Sequence, residues 1–585
     1  MHSRLAIRRI AAKILILATP SLAHSQVSAN TLHQADTIYR AGTAALDHQD
    51  LATAQSDFEQ VIHLIPTAEP AHVALGLVLV NRGHLQEGIH EYQVALTLRK
   101  TDATAQLNLA IAYQQIGQPT KAIPLFTQLE AEGRLRKQPL SAAVLSAYAR
   151  ALVATGNLPQ ATLKMQAATR ADPRNPQLHD DLGSIDAQQK SWDSARQEFA
   201  TAIQLDPQLA AAHLHLGLAL QALNQPGSLN QLQQARTLAP DNPVIALELG
   251  KAYVAASQDD PAIPLFQQVL AHDPQSVDAM SQLALAYQRS NRAQDAIDLF
   301  RKVLDADPTN AIAATDLGMA LTQAQRAKDA VPILQHATLL APDSVTAHED
   351  LAAAYVQLSQ FDDAETELHA ALKLAPDRPQ LHYDLGLAYK MQDDATHAIP
   401  EFETAEKLDP QQPESPYALG LLYLQAGRYA DAARELKTSL TLRPENGAGW
   451  ATLGSVYNQL NQLPEAVDAL QHAVRQIPDQ PDPHLTLANV LIKQNQLSDA
   501  TEQRKLAATL MRTNMNRQRA EVATHSGASL LKSGDLAGAA VQFNDALTFD
   551  PTYADAHAGL AQVYDALGKP ADAAAERAKA AQPQP

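Results

Sequence analysis

Small and large apolar residues recur along this chain with a period of 34 residues. In each period the eighth place holds glycine or alanine, the twentieth a second small residue, and the twenty-fourth most often a large apolar one. A short turn separates the two small places, so the pattern predicts two antiparallel helices that approach closely. The eighth-place residues are Gly42, Gly76, Ala110, Ala149, Gly183, Gly217, Gly250, Ala284, Gly318, Ala352, Gly386, Gly420, Gly454, Ala488, Gly527 and Ala561.

Prolines mark the end of each predicted helix pair. Ten of them follow one another at intervals of 34 residues, with one interval of 33. Proline lacks a backbone donor and disfavours helix in the residue before it, so it ends the second helix of each pair. A period of this length predicts an all-α solenoid of stacked helix pairs. The ten are Pro173, Pro207, Pro240, Pro274, Pro308, Pro342, Pro376, Pro410, Pro444 and Pro478.

The segment from Gly447 to Pro478 shows the full pattern of the repeat. It carries Trp450, Leu453, Gly454, Tyr457, Ala466, Leu470, Ala473 and Pro478. This pattern resembles the tetratricopeptide repeat. The resemblance implies an α-solenoid wound as a right-handed superhelix, and about sixteen repeats over residues 35–581. We count the repeats from Ala35, Glu69, Ala103, Ala142, Pro176, Ala210, Pro243, Val277, Ala311, Val345, Pro379, Pro413, Gly447, Pro481, Ala520 and Ala554.

The period is broken at three places. The repeat from Ala210 lacks one residue, and those from Ala103 and Pro481 each contain five extra. Both insertions are basic, and they lie near residues 130–141 and 507–519. Two interpretations remain open: a longer second helix or loop, which is tolerated at little cost, or a bend or docking point. Their basic residues are Arg134, Arg136, Lys137, Arg512, Arg517 and Arg519.

The amino terminus has the features of an export signal. Four basic residues precede or adjoin an apolar run from Ile14 to Ala23, and Ala23-His24-Ser25 offers small residues for cleavage. We therefore expect residues 1–25 to be a signal peptide, 26–34 a short linker and 582–585 a tail, with the protein periplasmic or secreted. An uncleaved anchor is the alternative. The chain has no cysteine, which excludes disulfides and thiolate chemistry.

Charge and motifs argue against several functions. The net charge of −18 disfavours nucleic acids and anionic membranes as general partners. Neither a zinc-protease helix, a phosphate-binding glycine loop nor a nucleophile elbow is present, so we expect no enzyme activity and no cofactor. Seven repeats carry histidine at the fourth place. One histidine per repeat cannot converge on a metal ion, so we expect these side chains to pack where the family has tryptophan: His72, His179, His213, His348, His382, His484 and His557.

The resemblance also predicts a groove along the first helices, where partner segments lie. Its sixth place holds acidic residues in five repeats, and carboxylates only accept hydrogen bonds, so basic extended segments are the expected partners. The alternative is that the acids are merely solvated and the apolar residues only pack. Lys251 and Lys390 are isolated, which disfavours a clamp for carboxylate tails. The candidate residues are Asp181, Glu248, Asp316, Asp350 and Asp384, with Tyr383, Tyr417, Leu218, Leu285, Met319, Leu387 and Leu421 beside them.

These observations favour an exported, non-enzymatic scaffold that binds protein segments and assembles an envelope or secretion complex. An alternative is a periplasmic accessory of polysaccharide export or synthesis, because similar arrays precede an outer-membrane barrel in cellulose-export proteins. A targeting subunit of a glycosyltransferase is the more remote alternative. Self-association is left open by the sequence.

Overall fold

The computed structural model describes residues 28–581, and this part of the chain consists of helices joined by short turns. It divides into two compact bodies, the N-terminal body (residues 28–299) and the C-terminal body (residues 300–581). The helices are α1 (Ala29–Asp47), α2 (Leu51–Leu64), α3 (Glu69–Asn81), α4 (Leu85–Leu98), α5 (Ala103–Gln115), α6 (Pro119–Leu135), α7 (Ala142–Ala154), α8 (Leu158–Ala171), α9 (Pro176–Gln188), α10 (Trp192–Leu205), α11 (Ala210–Ala222), α12 (Ser228–Leu238), α13 (Pro243–Ala255), α14 (Asp259–His272), α15 (Val277–Arg289), α16 (Ala293–Ala306), α17 (Ala311–Gln323), α18 (Ala327–Leu340), α19 (Val345–Gln357), α20 (Phe361–Leu374), α21 (Pro379–Met391), α22 (Ala395–Leu408), α23 (Glu414–Gln425), α24 (Tyr429–Leu442), α25 (Gly447–Gln459), α26 (Leu463–Gln476), α27 (Pro481–Lys493), α28 (Leu497–Lys532), α29 (Leu536–Phe549), α30 (Ala554–Ala566) and α31 (Pro570–Ala580).

Close contact between the two helices of a repeat depends on the small eighth residue. A β-carbon built on Gly386 of α21 would lie 2.8 Å from the ring of Phe402 in α22, closer than such atoms come in practice. Gly183 and Phe199 repeat this arrangement in the N-terminal body, at 2.6 Å. Both phenylalanines are fully buried. The expected all-α fold of antiparallel helix pairs is therefore confirmed, and glycine allows each pair to pack tightly.

Left-handed residues make the turn inside each pair. Gly427 has φ of 70° between α23 and α24, and Asn461 has φ of 58° between α25 and α26. At the first of these turns the amide of Arg428 donates to the carbonyl of Tyr423 at 2.8 Å, which closes the end of α23. Such caps satisfy carbonyls that the helix leaves free.

Hydrogen bonds also connect successive repeats. The tyrosine at the eleventh place bonds a polar side chain on the second helix of the preceding repeat. Gln93 Nε2 donates to the hydroxyl of Tyr113 at 2.8 Å in the N-terminal body, and the hydroxyl of Tyr423 donates to Glu403 at 2.8 Å in the C-terminal body. Repeats that carry this tyrosine bond are thereby fixed to the preceding repeat by a polar contact as well as by apolar packing.

The irregular places of the sequence are helical in large part. Helix α6 has 17 residues where most second helices have 14. Helix α28 runs for 36 residues through the second insertion and has no turn at Ala520. Helix α1 begins at Ala29, so residues 29–34 are helical rather than a linker, because Ser28 Oγ accepts the amide of Thr31. The expected signal peptide and tail lie outside the described residues. No helix within residues 28–581 is long and apolar enough to cross a membrane.

Candidate partner-binding surface

Three aspartates occupy the sixth place of consecutive repeats in the C-terminal body. Asp316 lies on α17, Asp350 on α19 and Asp384 on α21, and all three are half-buried. Gln380 Nε2 donates to Asp384 at 2.9 Å. The Oδ2 atom of Asp350 is buried and has no hydrogen-bond partner. Within residues 28–581 none of the three aspartates forms an ion pair, so their charge is left uncompensated.

Burial makes these carboxylates costly to ionise. It raises the pKa of Asp316 to about 6 and that of Asp384 to about 6. The pKa of Asp350 rises to about 7, first through burial and then through the negative charges of Glu349 and Asp316. A half-buried carboxylate loses hydration without gaining a partner, and a nearby negative charge adds to the cost. A cation placed among the three would relieve both effects.

One arginine lies close to this group but does not neutralise it. Arg378 Nη2 forms an ion pair with Glu349 at 2.9 Å. Its charge opposes the rise in the pKa of Asp350 and of Asp384 without contacting either carboxylate. The cluster of Glu349, Asp350, Asp384 and Asp316 therefore has one cation for four acids.

Apolar and aromatic side chains accompany the aspartates. Met319, Leu387 and Leu421, at the ninth place, are half-buried, as is Tyr417. The ring of Tyr383 lies 5.5 Å from that of Phe402, centroid to centroid, at an interplanar angle of 57°. Burial, followed by the charge of Glu414, raises the pKa of Tyr383, so its phenol stays neutral. Tyr383 thus packs on its own repeat while part of it remains accessible.

The acids of the N-terminal body have partners. Asp181 lies 3.7 Å from the guanidinium of Arg150 and accepts a hydrogen bond from Gln177 at 3.1 Å. Glu248 lies 3.2 Å from Lys251, which also contacts Asp278 at 2.6 Å. Lys251 thus pairs with two acids, and the expected absence of a clamp for carboxylate tails stays a prediction. Leu218 and Leu285 are half-buried, and Leu218 packs against the core that contains Leu249.

The fourth-place histidines make a repeated pair of hydrogen bonds. In each, Nε2 faces the carbonyl of the proline six residues earlier, as His382 does at 2.9 Å. Trp450 donates its indole N–H to the equivalent carbonyl of Pro444 at 2.8 Å, so histidine and tryptophan occupy one position. Within residues 28–581 no group of three or more potential ligands could hold a metal ion. The second bond joins Nδ1 to a side chain nineteen residues later, or eighteen for His213, and the sequence analysis does not predict it. The regular spacing from histidine to glutamate is the signal for it.

The second insertion exposes apolar as well as basic side chains. Met511, Met515 and Val522 of α28 are exposed. Between α28 and α29 lies an open hollow of about 510 Å³, lined by Met515, Val522 and Phe549 among others. Arg519 lies over the ring of Phe549, 5.7 Å from its centroid. The second insertion therefore lengthens a helix, as the first of the two interpretations predicts. Its use as a docking point stays a prediction.

Sequence comparison identifies the class of protein. Models of the tetratricopeptide repeat match residues 107–176, 183–224, 247–311, 287–353, 349–413, 417–481 and 530–585, more than half of the chain. The chain belongs to the tetratricopeptide repeat family. Arrays of this repeat mediate protein–protein interaction, and the chain is a protein-interaction scaffold in that general sense.

Among solved structures, a Cut9–Hcn1 complex of the APC/C matches 91% of this chain and 96% of its own at 15% identity, with a TM-score of 0.32. MamA from Desulfovibrio magneticus RS-1 matches 29% of this chain and 96% of its own at 22% identity, with a TM-score of 0.28. YrrB, described as a repeat protein with an unusual peptide-binding site, matches 32% and 96% at 19% identity, with a TM-score of 0.28. Comparison with curated proteins yields no match.

Proposed function

We propose that this chain is an exported scaffold that holds extended, positively charged segments of partner proteins along the first helices of its C-terminal body. It would do so while assembling an envelope or secretion complex. The observation that carries the proposal is the uncompensated charge of Asp316, Asp350 and Asp384 on three consecutive first helices. Export rests on the basic and apolar amino terminus, which lies outside the described residues.

The chemistry of the surface suits lysine or arginine side chains. A cation beside Asp350 replaces lost hydration, lowers the pKa of the carboxylate and offsets the repulsion from its acidic neighbours. The aliphatic stems of lysine and arginine can lie on half-buried Met319 and Leu387 while their charged ends reach the acids. Because the acids recur once per repeat, an extended segment meets them in succession.

Charge reversal tests the binding part of the proposal. The probe is a fluorescent ten-residue peptide of alternating lysine and glycine, titrated into the full chain at low ionic strength. Changing Asp316, Asp350 and Asp384 together to lysine should weaken its binding at least tenfold without reducing helicity. The matched control changes three exposed acids of the same body, Asp343, Asp377 and Asp479, and alters net charge equally. Equal losses in both variants would show attraction to overall charge alone and overturn the site.

The pH dependence of binding gives a second test. Between pH 8 and pH 5 the three aspartates take up protons, since burial raises the pKa of each to about 6 or 7. The probe should therefore bind most tightly near pH 8 and lose affinity through pH 7 to 5, while lysine keeps its charge. Affinity that stays constant down to pH 5 would contradict a role for these carboxylates.

Export is tested separately. The full chain, expressed in a bacterium with two membranes, should appear in the periplasmic fraction without its first residues. Crosslinking there, followed by mass spectrometry, would identify the partners of the wild-type chain that the lysine variant loses. Retention in the cytoplasm would overturn the export part of the proposal and leave the binding part standing.

A further inference from the structure

Five histidines are each held between a carboxylate and a carbonyl. The ring lies on the first helix of a repeat, the glutamate on its second helix, and the carbonyl belongs to the proline of the preceding loop. In repeat order the Nδ1-to-glutamate distances are 2.6, 2.7, 2.5, 2.6 and 2.5 Å, and the Nε2-to-carbonyl distances 3.0, 3.2, 3.2, 2.9 and 3.0 Å. The pairs are His72–Glu91, His179–Glu198, His348–Glu367, His382–Glu401 and His557–Glu576.

This geometry needs one proton more than a neutral imidazole supplies. A neutral ring has one N–H, whereas both ring nitrogens here face oxygen atoms. The carbonyl can only accept, so a hydrogen bond at Nε2 requires an N–H there. A hydrogen bond from Nδ1 to an ionised glutamate requires an N–H on that nitrogen as well. A neutral ring therefore makes only one of the two bonds: in one tautomer the Nε2 lone pair faces the carbonyl, and in the other the Nδ1 lone pair faces the carboxylate at about 2.6 Å.

The chain contains its own comparisons for these five links. His213 and His484 face glutamine at the same place, at 2.8 and 2.6 Å, and an amide can donate or accept as required. Trp450 has one N–H and one acceptor, the carbonyl of Pro444. In that repeat the place of the glutamate is taken by Ala469. Histidine with glutamate is thus the combination that depends on an added proton.

The charged surroundings differ among the links. The hydrogen bond that His72 donates to Glu91, and to a smaller extent the nearby charge of Glu69, favour the charged ring and raise the pKa of His72 despite burial. Glu198 lies near Asp186, and Glu401 near Tyr389. Glu367 and His348 lie in the repeat of Glu349 and Asp350. Glu576 also accepts from Lys579 at 2.8 Å, while the repeat of His557 has Gly559 at the sixth place and no acid there.

We propose that the five histidine–glutamate pairs are proton-dependent links, which hold both helices of a repeat to the preceding loop when protonated and release that loop as pH rises above neutrality. The proposal is independent of the partner-binding surface. A pair of hydrogen bonds that needs two N–H groups on the ring is complete at low pH and is lost as the pH rises and the ring gives up its second proton. For His72, whose pKa is raised, this loss moves to higher pH. The array should therefore be held more firmly near pH 6 than near pH 8.5.

Hydrogen exchange of the full chain at pH 6 and pH 8.5, corrected for the intrinsic effect of pH, tests this proposal. Amides at the start of α21 and α30 should exchange about five- to tenfold faster at pH 8.5, while those of α25, next to Trp450, should not change. The variant H382W/E401A, H557W/E576A copies the Trp450–Ala469 combination into both repeats. In this variant the amides of α21 and α30 should exchange at the same corrected rate at both pH values, while those of α3 and α19 should still exchange faster at pH 8.5.

A second variant serves as a control for poor packing of the introduced tryptophan rings. In H382Q/E401Q, H557Q/E576Q the fourth place carries glutamine, as at Gln106, whose amide donates to the carbonyl of Lys100 at 2.8 Å. The pH difference should again disappear. Equal protection of α30 at both pH values in the wild-type chain, or an unchanged pH difference in either variant, would overturn the proposal. The result for the repeat of His557 is decisive for the proposal, because its sixth place is Gly559 and no acid at that place can titrate.

Discussion

The sixth-place acids of the two bodies occupy equivalent positions but have different neighbours. In the N-terminal body Asp181 and Glu248 lie beside Arg150 and Lys251. In the C-terminal body Asp316, Asp350 and Asp384 have no such contact among the described residues, and burial raises their pKa values to about 6 or 7. The same column of the repeat therefore has ion-pair partners in the N-terminal body and none among the described residues of the C-terminal body, although burial raises the pKa of Asp181 as well.

The ninth place explains this difference. Arg150 is the ninth residue of the repeat before Asp181, and Lys251 is the ninth residue of the repeat that contains Glu248. In the C-terminal body the ninth place holds Met319, Ala353 and Leu387 instead. A cation at the ninth place reaches a sixth-place acid, whereas an apolar residue leaves the acid free and offers a surface beside it. Two places read together thus distinguish a self-neutralised repeat from a candidate binding repeat.

Removal of a buried phenylalanine ring should have the largest effect on stability, and its effect on peptide binding should differ between the two bodies. Phe402 and Phe266 are both fully buried against an eighth-place glycine, one in each body. Changing either to alanine should lower the free energy of unfolding of its region by about 3–5 kcal/mol. Because repeats contact only their neighbours, F402A should also weaken binding of the lysine–glycine peptide, while F266A should not.

Urea denaturation and peptide titration of the two variants provide the measurement. The pair is matched in residue type, burial and packing partner, so a general loss of structure affects both alike. If F266A weakened peptide binding as much as F402A, the assignment of binding to the C-terminal body would be wrong.

Neutralising one sixth-place acid should raise the free energy of unfolding in the C-terminal body and lower it in the N-terminal body. At pH 8 Asp350 is ionised although its Oδ2 is buried without a hydrogen bond. D350N removes that charge and should raise the free energy of unfolding by about 1–2 kcal/mol, because burial and then the charges of Glu349 and Asp316 raise the pKa of Asp350 to about 7 and partial exposure reduces the resulting cost. E248Q removes an ion pair with Lys251 and should lower it by about 0.5 kcal/mol.

Both values come from denaturation at pH 8 and pH 5. At pH 5 the gain from D350N should be clearly smaller, because Asp350 is then protonated in the folded protein and the only remaining cost is the uptake of that proton on folding. The gain should vanish near the ordinary carboxyl pKa of about 4. A destabilising D350N at pH 8 would mean that Asp350 has a stabilising partner, and the contrast between the bodies would fail.

Much of the fold follows from local patterns. Helices begin at Glu69, Ala103 and Val345, the residues from which repeats were counted, because the small places and the prolines act within one repeat. At Ala520 no helix begins. Residues 508–519 contain neither proline nor glycine and are rich in good helix formers, so the insertion continues the helix. The helix propensity of the insertion, and not its positive charge, accounts for its conformation.

The positions of the candidate residues could be read from the repeat, but their partners could not. Arg150 and Asp181 lie 31 residues apart, and their contact depends on how adjacent first helices pack. The carbonyl bonds of the histidines likewise join a side chain to the loop of the preceding repeat. Only the structure shows that Tyr383 packs on Phe402 and that Asp350 has an unsatisfied oxygen.

Exchange of ninth-place residues should produce the smallest effect and the sharpest test. L387K supplies a cation in the repeat of Asp384 and should weaken peptide binding about two- to fivefold, as a half-exposed ion pair competes with the ligand.

The reverse exchange applies to the N-terminal body, where R150Q/K251Q removes the cations beside Asp181 and Glu248. On a D316N/D350N/D384N background it should restore measurable binding, with L387Q and K390Q as neutral controls. If freeing Asp181 and Glu248 gave no binding, neutralisation by the ninth place would not be the feature that separates the two bodies. The apolar and aromatic residues beside the C-terminal aspartates would then have to supply the difference.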